Sequence, residues 1–278
     1  MTKYVLYKNA RLLDPASGLD IKGELLTKNS KIDALGKKVD APDDAEILDL
    51  KGKCLCPGLI DMRVFVGIPG ADYKDTILNT GEAAAAGGVT TVCVQPNSNP
   101  IIDCFPNIEY LTSRAKNALV KFIPMPAVTK QLEGKEMTDI GLMSKAGYKT
   151  FTDCSATIEN AALMSRIFKY ASAFDAQIVQ HLSEPSLSRN GCMNAGELAT
   201  RLGLPGIPTA AETIVLERDI RLLRSTNCRY HASQITCADS IEVVKNAKEL
   251  GLKITAGVAV PHLALNEYAI EDYRTFTK

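Results

Sequence analysis

Residues 57–70 read PGLIDMRVFVGIPG, and the rhythm of the chain changes there. LIDMRVFV (59–66) is an apolar run of strand length, and DTILNTGEAAAAGG (75–88) behind it is helical in pattern. The alternation then repeats. TTVCVQP (90–96) precedes NIEYLTSRAKNAL, KFIPMPAV (121–128) precedes MTDIGLMSKAG, and YKTFTDC (148–154) precedes NAALMSRIFKYASAF. AQIVQHL (176–182) leads through a polar insertion to TAAETIVLERDIRLLRST, RYHASQIT (229–236) precedes SIEVVKNAKELG, and KITAGVAV (253–260) closes the series. Seven such runs, mostly followed by amphipathic helices, predict a parallel sheet with right-handed crossovers. Seven β/α units favour a TIM-type (β/α)₈ barrel over an open sheet. No eighth strand is legible before the sequence reaches RTFTK. An unclosed barrel leaves two open edges, so the expectation is that a C-terminal part lies beyond these residues.

Outward toward the N-terminus the pattern is different. YVLYKNARLLD, GELLTKNSKIDALG and AEILDLKGKCLCPG alternate apolar and polar residues between Gly, Pro, Asn and Asp. Residues 1–56 are therefore expected to form a small β-sandwich-like domain, with the barrel in 57–278.

Composition narrows the function. The 278 residues are 46% apolar and 23% charged, ordinary for a globular α/β protein, and Lys+Arg equals Asp+Glu at 32 each. With no long basic stretch, nucleic acid and acidic membranes are not favoured partners. The eight cysteines (54, 56, 93, 104, 154, 192, 228 and 237) form no Cys-x-x-Cys pair. A chain of this size does not need disulfide staples, which fits a reducing cytoplasm. The start lacks a signal-peptide pattern, and no apolar run is long enough to cross a membrane.

Barrel chemistry belongs at the C-terminal ends of the strands. There the sequence resembles the dihydroorotases and allied cyclic-amide amidohydrolases. PGLIDMRVFVGIPG resembles their PGLID-M-H-x-H-L-R-E-P-G, with Pro57, Gly58, Leu59, Ile60, Asp61, Pro69 and Gly70 in place. Arg63 and Phe65 stand where the resemblance calls for two metal-binding histidines, and Gly67 where it calls for an arginine that holds the substrate carboxylate. A His-x-His pair can grip one metal because alternate strand residues point the same way. A guanidinium has no lone pair to offer, and Phe has no donor atom.

Further along, QPNSNP (95–100) resembles M-P-N-T-x-P and keeps Asn97 as a substrate-binding residue. FTDCS (151–155) resembles F-S-D-D-G, with Cys154 in the metal-bridging position and Asp153 kept. Lys149 lies near the spacing of the carbamylated lysine of related hydantoinases. VQHLSE (179–184) keeps His181. In RYHASQIT, His231 is kept while Gln234 replaces a ligand, and VPHLAL keeps His262 beside Pro261. His231 and His262 are expected to support the site from behind rather than to react. The family's catalytic aspartate follows the eighth strand, outside these residues.

The resemblance thus implies a zinc hydrolase, yet of the metal positions 63, 65, 154, 181 and 234 only His181 keeps its residue. Three readings stay open. The first is a catalytically inactive homologue in pyrimidine biosynthesis, binding no cofactor and acting as a structural or regulatory partner of aspartate carbamoyltransferase in a homo- or hetero-oligomer. The second is an active amidohydrolase with one zinc rebuilt on His181, Asp153 and Lys149, or with Cys154 as a thiolate ligand. The third is a metabolite-binding module in which Arg63 and Asn97 read a carboxylate. For the side chains themselves, Arg63 is expected to pair with Asp153, His181 to be a hydrogen-bonded remnant, and Cys154 to be a buried, inert thiol.

Overall fold

The computed structural model describes residues 3–270 and 273–277. The chain divides into two units, Met1–Leu59 and Ile60–Lys278.

The first unit is a five-stranded sheet. β1 (Tyr4–Asp14) and β2 (Leu19–Lys28) run antiparallel, with β3 (Lys31–Gly36) beyond β2. β4 (Glu46–Asp49) and β5 (Cys54–Leu55) pair with β1 in parallel. Asp14 turns the hairpin by accepting bonds from Ala16 N and Ser17 Oγ, a local alternative to the ladder that short acidic side chains offer. Leu6, Ala10, Leu12 and Leu26 are buried on one face. The register shifts between Tyr7 and Ala10, where Asn9 takes a φ of 54°.

The second unit follows the strand–helix rhythm of the sequence. β6 (Leu59–Val64), α1 (Ile77–Ala86), β7 (Val89–Val94), α2 (Phe105–Arg114), β8 (Lys121–Pro124), α3 (Ile140–Lys145), β9 (Thr150–Thr152) and α4 (Ala161–Ser172) come in order. After β10 (Gln177–His181) the chain makes an excursion through α5 (Pro185–Ser188), β11 (Met193–Asn194), α6 (Glu197–Leu202) and β12 (Gly206–Ile207). It returns through α7 (Ala210–Leu223), β13 (Arg229–Ser233), α8 (Ala238–Glu249), β14 (Ile254–Ala256) and α9 (Val260–Ala264). The strands line up as β6-β7-β8 and as β9-β10-β13-β14, and the pairs within the second group are all parallel. Thr152 N donates to Pro126 O at 3.0 Å and links the two groups.

Helix α4 illustrates how the sequence builds the outer layer. Asn160 caps it, its Oδ1 accepting from Ala162 N and Leu163 N at 3.0 Å each. Leu163, Met164, Ile167, Phe168 and Ala171 then recur at helical spacing and are buried. Phe168 meets Tyr230 of β13 edge-on, with ring centroids 5.6 Å apart. Removing such a fully buried ring costs about 3–5 kcal/mol.

One buried polar network fixes the loop after β9, which carries Asp153 to Glu159. Tyr230 Oη donates to Asp219 Oδ2 at 2.9 Å, and the Arg218 guanidinium grips Asp219 Oδ1 at 2.7 and 2.9 Å. The same guanidinium donates to Ile158 O and Glu159 O at 2.8 Å each. Helix α7 thereby holds that loop over the strand ends.

Candidate functional site

Four of the five sequence-marked metal positions converge at the C-terminal ends of β6, β9, β10 and β13. Arg63 leaves β6 half-buried and bridges the opening: its Nη1 donates to Gln234 Oε1, and its Nη2 to Ser155 Oγ at 2.8 Å. Cys154 and His181 lie close enough to couple electrostatically to the guanidinium. Phe65 lies one residue past the end of β6 and is 44% exposed.

Cys154 and Gln234 both adopt left-handed backbone, with φ of 57° and 61°. This conformation is unfavourable for residues with a Cβ, and it swings each side chain off its strand direction. Parity along β9 and β13 therefore does not predict where these side chains point.

Burial sets the protonation of the cluster. It drives the Cys154 thiol up to about 12, against the opposing effects of the Asn97 backbone N–H and Arg63. Cys154 is buried. Burial, aided by the Arg63 charge, lowers the His181 pKa, with Glu212 opposing. Burial also lowers Arg63, which nonetheless stays cationic at any working pH.

Three expectations need correction. Arg63 does not pair with Asp153. Asp153 is 1% exposed and committed elsewhere: Oδ1 accepts from Val128 N at 2.8 Å and Thr129 N at 2.9 Å, while Oδ2 accepts from the Thr129 hydroxyl. Three donors on one carboxylate leave little for a fourth partner. Lys149 is not near the site. It precedes β9, at the end of the strand opposite Asp153, and its exposed Nζ donates to Phe174 O at 2.7 Å. His181 is not a satisfied remnant, because its Nδ1 is buried without a hydrogen-bond partner.

The remaining marked residues divide. Asn97 is exposed, and its backbone N–H lies against the Cys154 thiol. A Cβ on Gly67 would stand 2.4 Å from Ala71 O and 2.9 Å from Asp75 O, so the loop has closed on the space an arginine would need. His231 is buried, its Nδ1 2.8 Å from Thr255 Oγ1. His262 is exposed on α9 and makes no hydrogen bond with the cluster.

Sequence reasoning missed Ser155, Thr129 and Glu212. Ser155 is the next residue after Cys154 and could have been flagged. Glu212 carried no local signal: its carboxylate reaches from α7 to Thr236 N at 2.9 and 3.0 Å and to Thr236 Oγ1 at 2.5 Å, closing the β13–α8 loop.

Zinc needs three or four nitrogen, sulfur or oxygen donors within about 2.0–2.3 Å. Among the described residues no group of three His, Cys, Asp or Glu converges, and the space beside His181 holds a guanidinium and a protonated thiol. The residues present do not fit the metal.

The fold is shared with solved hydantoinase barrels. L-hydantoinase (dihydropyrimidinase) from Arthrobacter aurescens superposes with a TM-score of 0.81 over 100% of this chain and 63% of its own, at 20% identity. A Thermus sp. D-hydantoinase (dihydropyrimidinase) gives 0.72 over 96% and 60%, also at 20% identity. Residues 52–240 match the Dihydro-orotase-like family, and the chain belongs to that family. It is 38% identical over 276 residues to a dihydroorotase of Syntrophus aciditrophicus (strain SB), covering 99% of this chain and 65% of that protein. It is 39% identical over 281 residues to one of Anaplasma phagocytophilum (strain HZ), covering 99% and 62%. The chain thus spans just under two thirds of the length of these curated relatives. No helix among the described residues is long and apolar enough to cross a membrane.

Proposed function

We propose that the chain is a non-hydrolytic dihydroorotase homologue of the cytoplasm, serving pyrimidine biosynthesis as a structural or regulatory partner of aspartate carbamoyltransferase. One observation carries the loss of chemistry: the Arg63 guanidinium lies between Gln234 and Ser155, where the family resemblance calls for metal ligands. A fixed cation repels a divalent ion, and without such an ion a water keeps a pKa near its bulk value. The rebuilt mononuclear site loses its support, since Lys149 faces away and Asp153 is fully engaged.

What supports a scaffold role is the contrast between frame and site. Identity of 38% over 99% of the chain accompanies replacement of four metal positions out of five. The partner follows from the family resemblance alone. Its test is co-elution: the chain, mixed with aspartate carbamoyltransferase from the same organism, shifts to a shared peak in gel filtration and raises the transferase's stability or activity. Separate elution with unchanged transferase would reject the partnership.

A further inference from the structure

The sheet of the first unit carries two thiols that the proposed function leaves unused. Cys54 and Cys56 flank Leu55 in the stretch KGKCLCPG (51–58), which contains the last strand of that sheet. β5 pairs with β1 in parallel, with Arg11 opposite Cys54 and Leu12 opposite Leu55. Leu12 is buried and Leu55 partly so, whereas Cys54 and Cys56 are both exposed and free. This alternation sets Leu55 on the core face and both thiols on the outer face. Pro57 keeps Cys56 extended, because the helical region is sterically disfavoured for a residue that precedes proline.

Two extended residues advance the chain by about 6.6 Å, and the two Cβ atoms are separated by about the same distance. That is too wide for a disulfide, whose Cβ atoms lie about 3.5–4.5 Å apart. It suits one metal ion held in line between the two sulfurs. At about 2.3 Å to each sulfur the ion needs them about 4.6 Å apart, so each Sγ leans inward by about 1 Å. The donor count then selects the metal. Among the described residues no third His, Cys, Asp or Glu joins the pair, so the three or four ligands that zinc requires are missing. Thiolates are soft donors, and two of them suit a soft monovalent ion that accepts linear coordination. Arg11, which holds Asp20 at 2.6 and 2.8 Å, also lies beside Cys54 and sets a cation against the negative charge of such a complex.

We propose that Cys54 and Cys56 form a surface site for Cu(I), bound between the two sulfurs as a bis-thiolate. Both thiols give up their protons on binding. The neutral pair and one Cu⁺ become a complex of charge −1 with release of two protons, and no electron is exchanged. The site goes beyond the non-hydrolytic reading and does not rest on it, since all of its residues lie within Met1–Leu59.

The test is an anaerobic titration of the reduced, EDTA-dialysed chain with Cu(I) held by bathocuproine disulfonate, whose colour reports the copper it retains. The chain should withdraw one equivalent. Cys54→Ser and Cys56→Ser each remove one sulfur at an exposed position and should weaken binding at least ~100-fold, with thermal unfolding unchanged. Cys104→Ser, at an exposed cysteine of the second unit, should bind as the parent does. X-ray absorption of the loaded protein should show two sulfur neighbours. Copper should also protect Cys54 and Cys56, but not Cys104, from iodoacetamide. Copper left wholly with the competitor would overturn the proposal, as would an equivalent still held by both serine variants, or zinc retained as firmly as copper.

Discussion

Replacing Asp153 with alanine removes the only acceptor among the described residues for two buried backbone donors, Val128 N and Thr129 N, on residues that are both fully inaccessible. Leaving a buried donor unsatisfied costs about 1–3 kcal/mol, so the pair sums to about 4 kcal/mol before the chain relaxes. The Thr129 hydroxyl also loses its acceptor. Asparagine behaves differently. Its Oδ1 can still accept both N–H groups and its Nδ2 can donate to Thr129 Oγ1, so the loss is the charge assistance and the acceptor of the Thr129 hydroxyl proton, at a cost of about 1–3 kcal/mol. Urea unfolding by linear extrapolation measures both variants. In a unit of this size the alanine variant should melt about 8–16 °C lower. An alanine variant within about 1 kcal/mol of the parent, or an asparagine variant as damaged as alanine, would refute the structural role assigned to this carboxylate.

Other consequences follow from the same geometry. Gly67→Arg restores the residue type that the family resemblance calls for, yet its Cβ meets Ala71 O and Asp75 O, so it should destabilise by about 2–4 kcal/mol in urea unfolding without creating carboxylate binding. Iodoacetamide at pH 8 with peptide mapping should label the exposed Cys54, Cys56 and Cys104 first and leave Cys154, pushed up to about 12, unmodified in the native state. Early labelling of Cys154 would contradict its burial. Asp219, fully buried, is raised to about 6 by burial against the pull of Arg218 and Tyr230. Its folded state holds a proton more tightly than the unfolded state, so its contribution is most favourable below about pH 4 and is lost as pH rises through about 6. Relative to Asp219→Asn, the parent should therefore be more stable at pH 4.5 than at pH 7, by on the order of 2 kcal/mol. A difference independent of pH would show that Arg218 holds this carboxylate ionised throughout.

The sequence made the barrel legible because each strand-like run ends in turn residues and each following run has helical spacing, as in NAALMSRIFKYASAF and α4. The meeting of Arg63, Cys154, His181 and Gln234 was legible for a related reason: strand ends in a barrel share one face whatever residues occupy them. Partner choice was not. The left-handed backbone at Cys154 and Gln234 turns side chains away from strand parity, so that Ser155 and Gln234, rather than Asp153, receive Arg63. Lys149 was ambiguous because parity fixes a face of the strand and says nothing about which end of the barrel a long side chain reaches. Glu212 and Thr129 act across 24 residues of sequence each, a distance over which no local pattern speaks.

On the proposed reading, this family member has exchanged a metal centre for a fixed organic cation. Metal analysis of protein purified without added zinc, read beside dihydroorotate hydrolysis by the same sample, tests it most directly. Less than about a tenth of an equivalent of zinc and no turnover are expected. One or two tightly held equivalents with turnover would contradict it, and would require Arg63 to leave the position between Gln234 and Ser155.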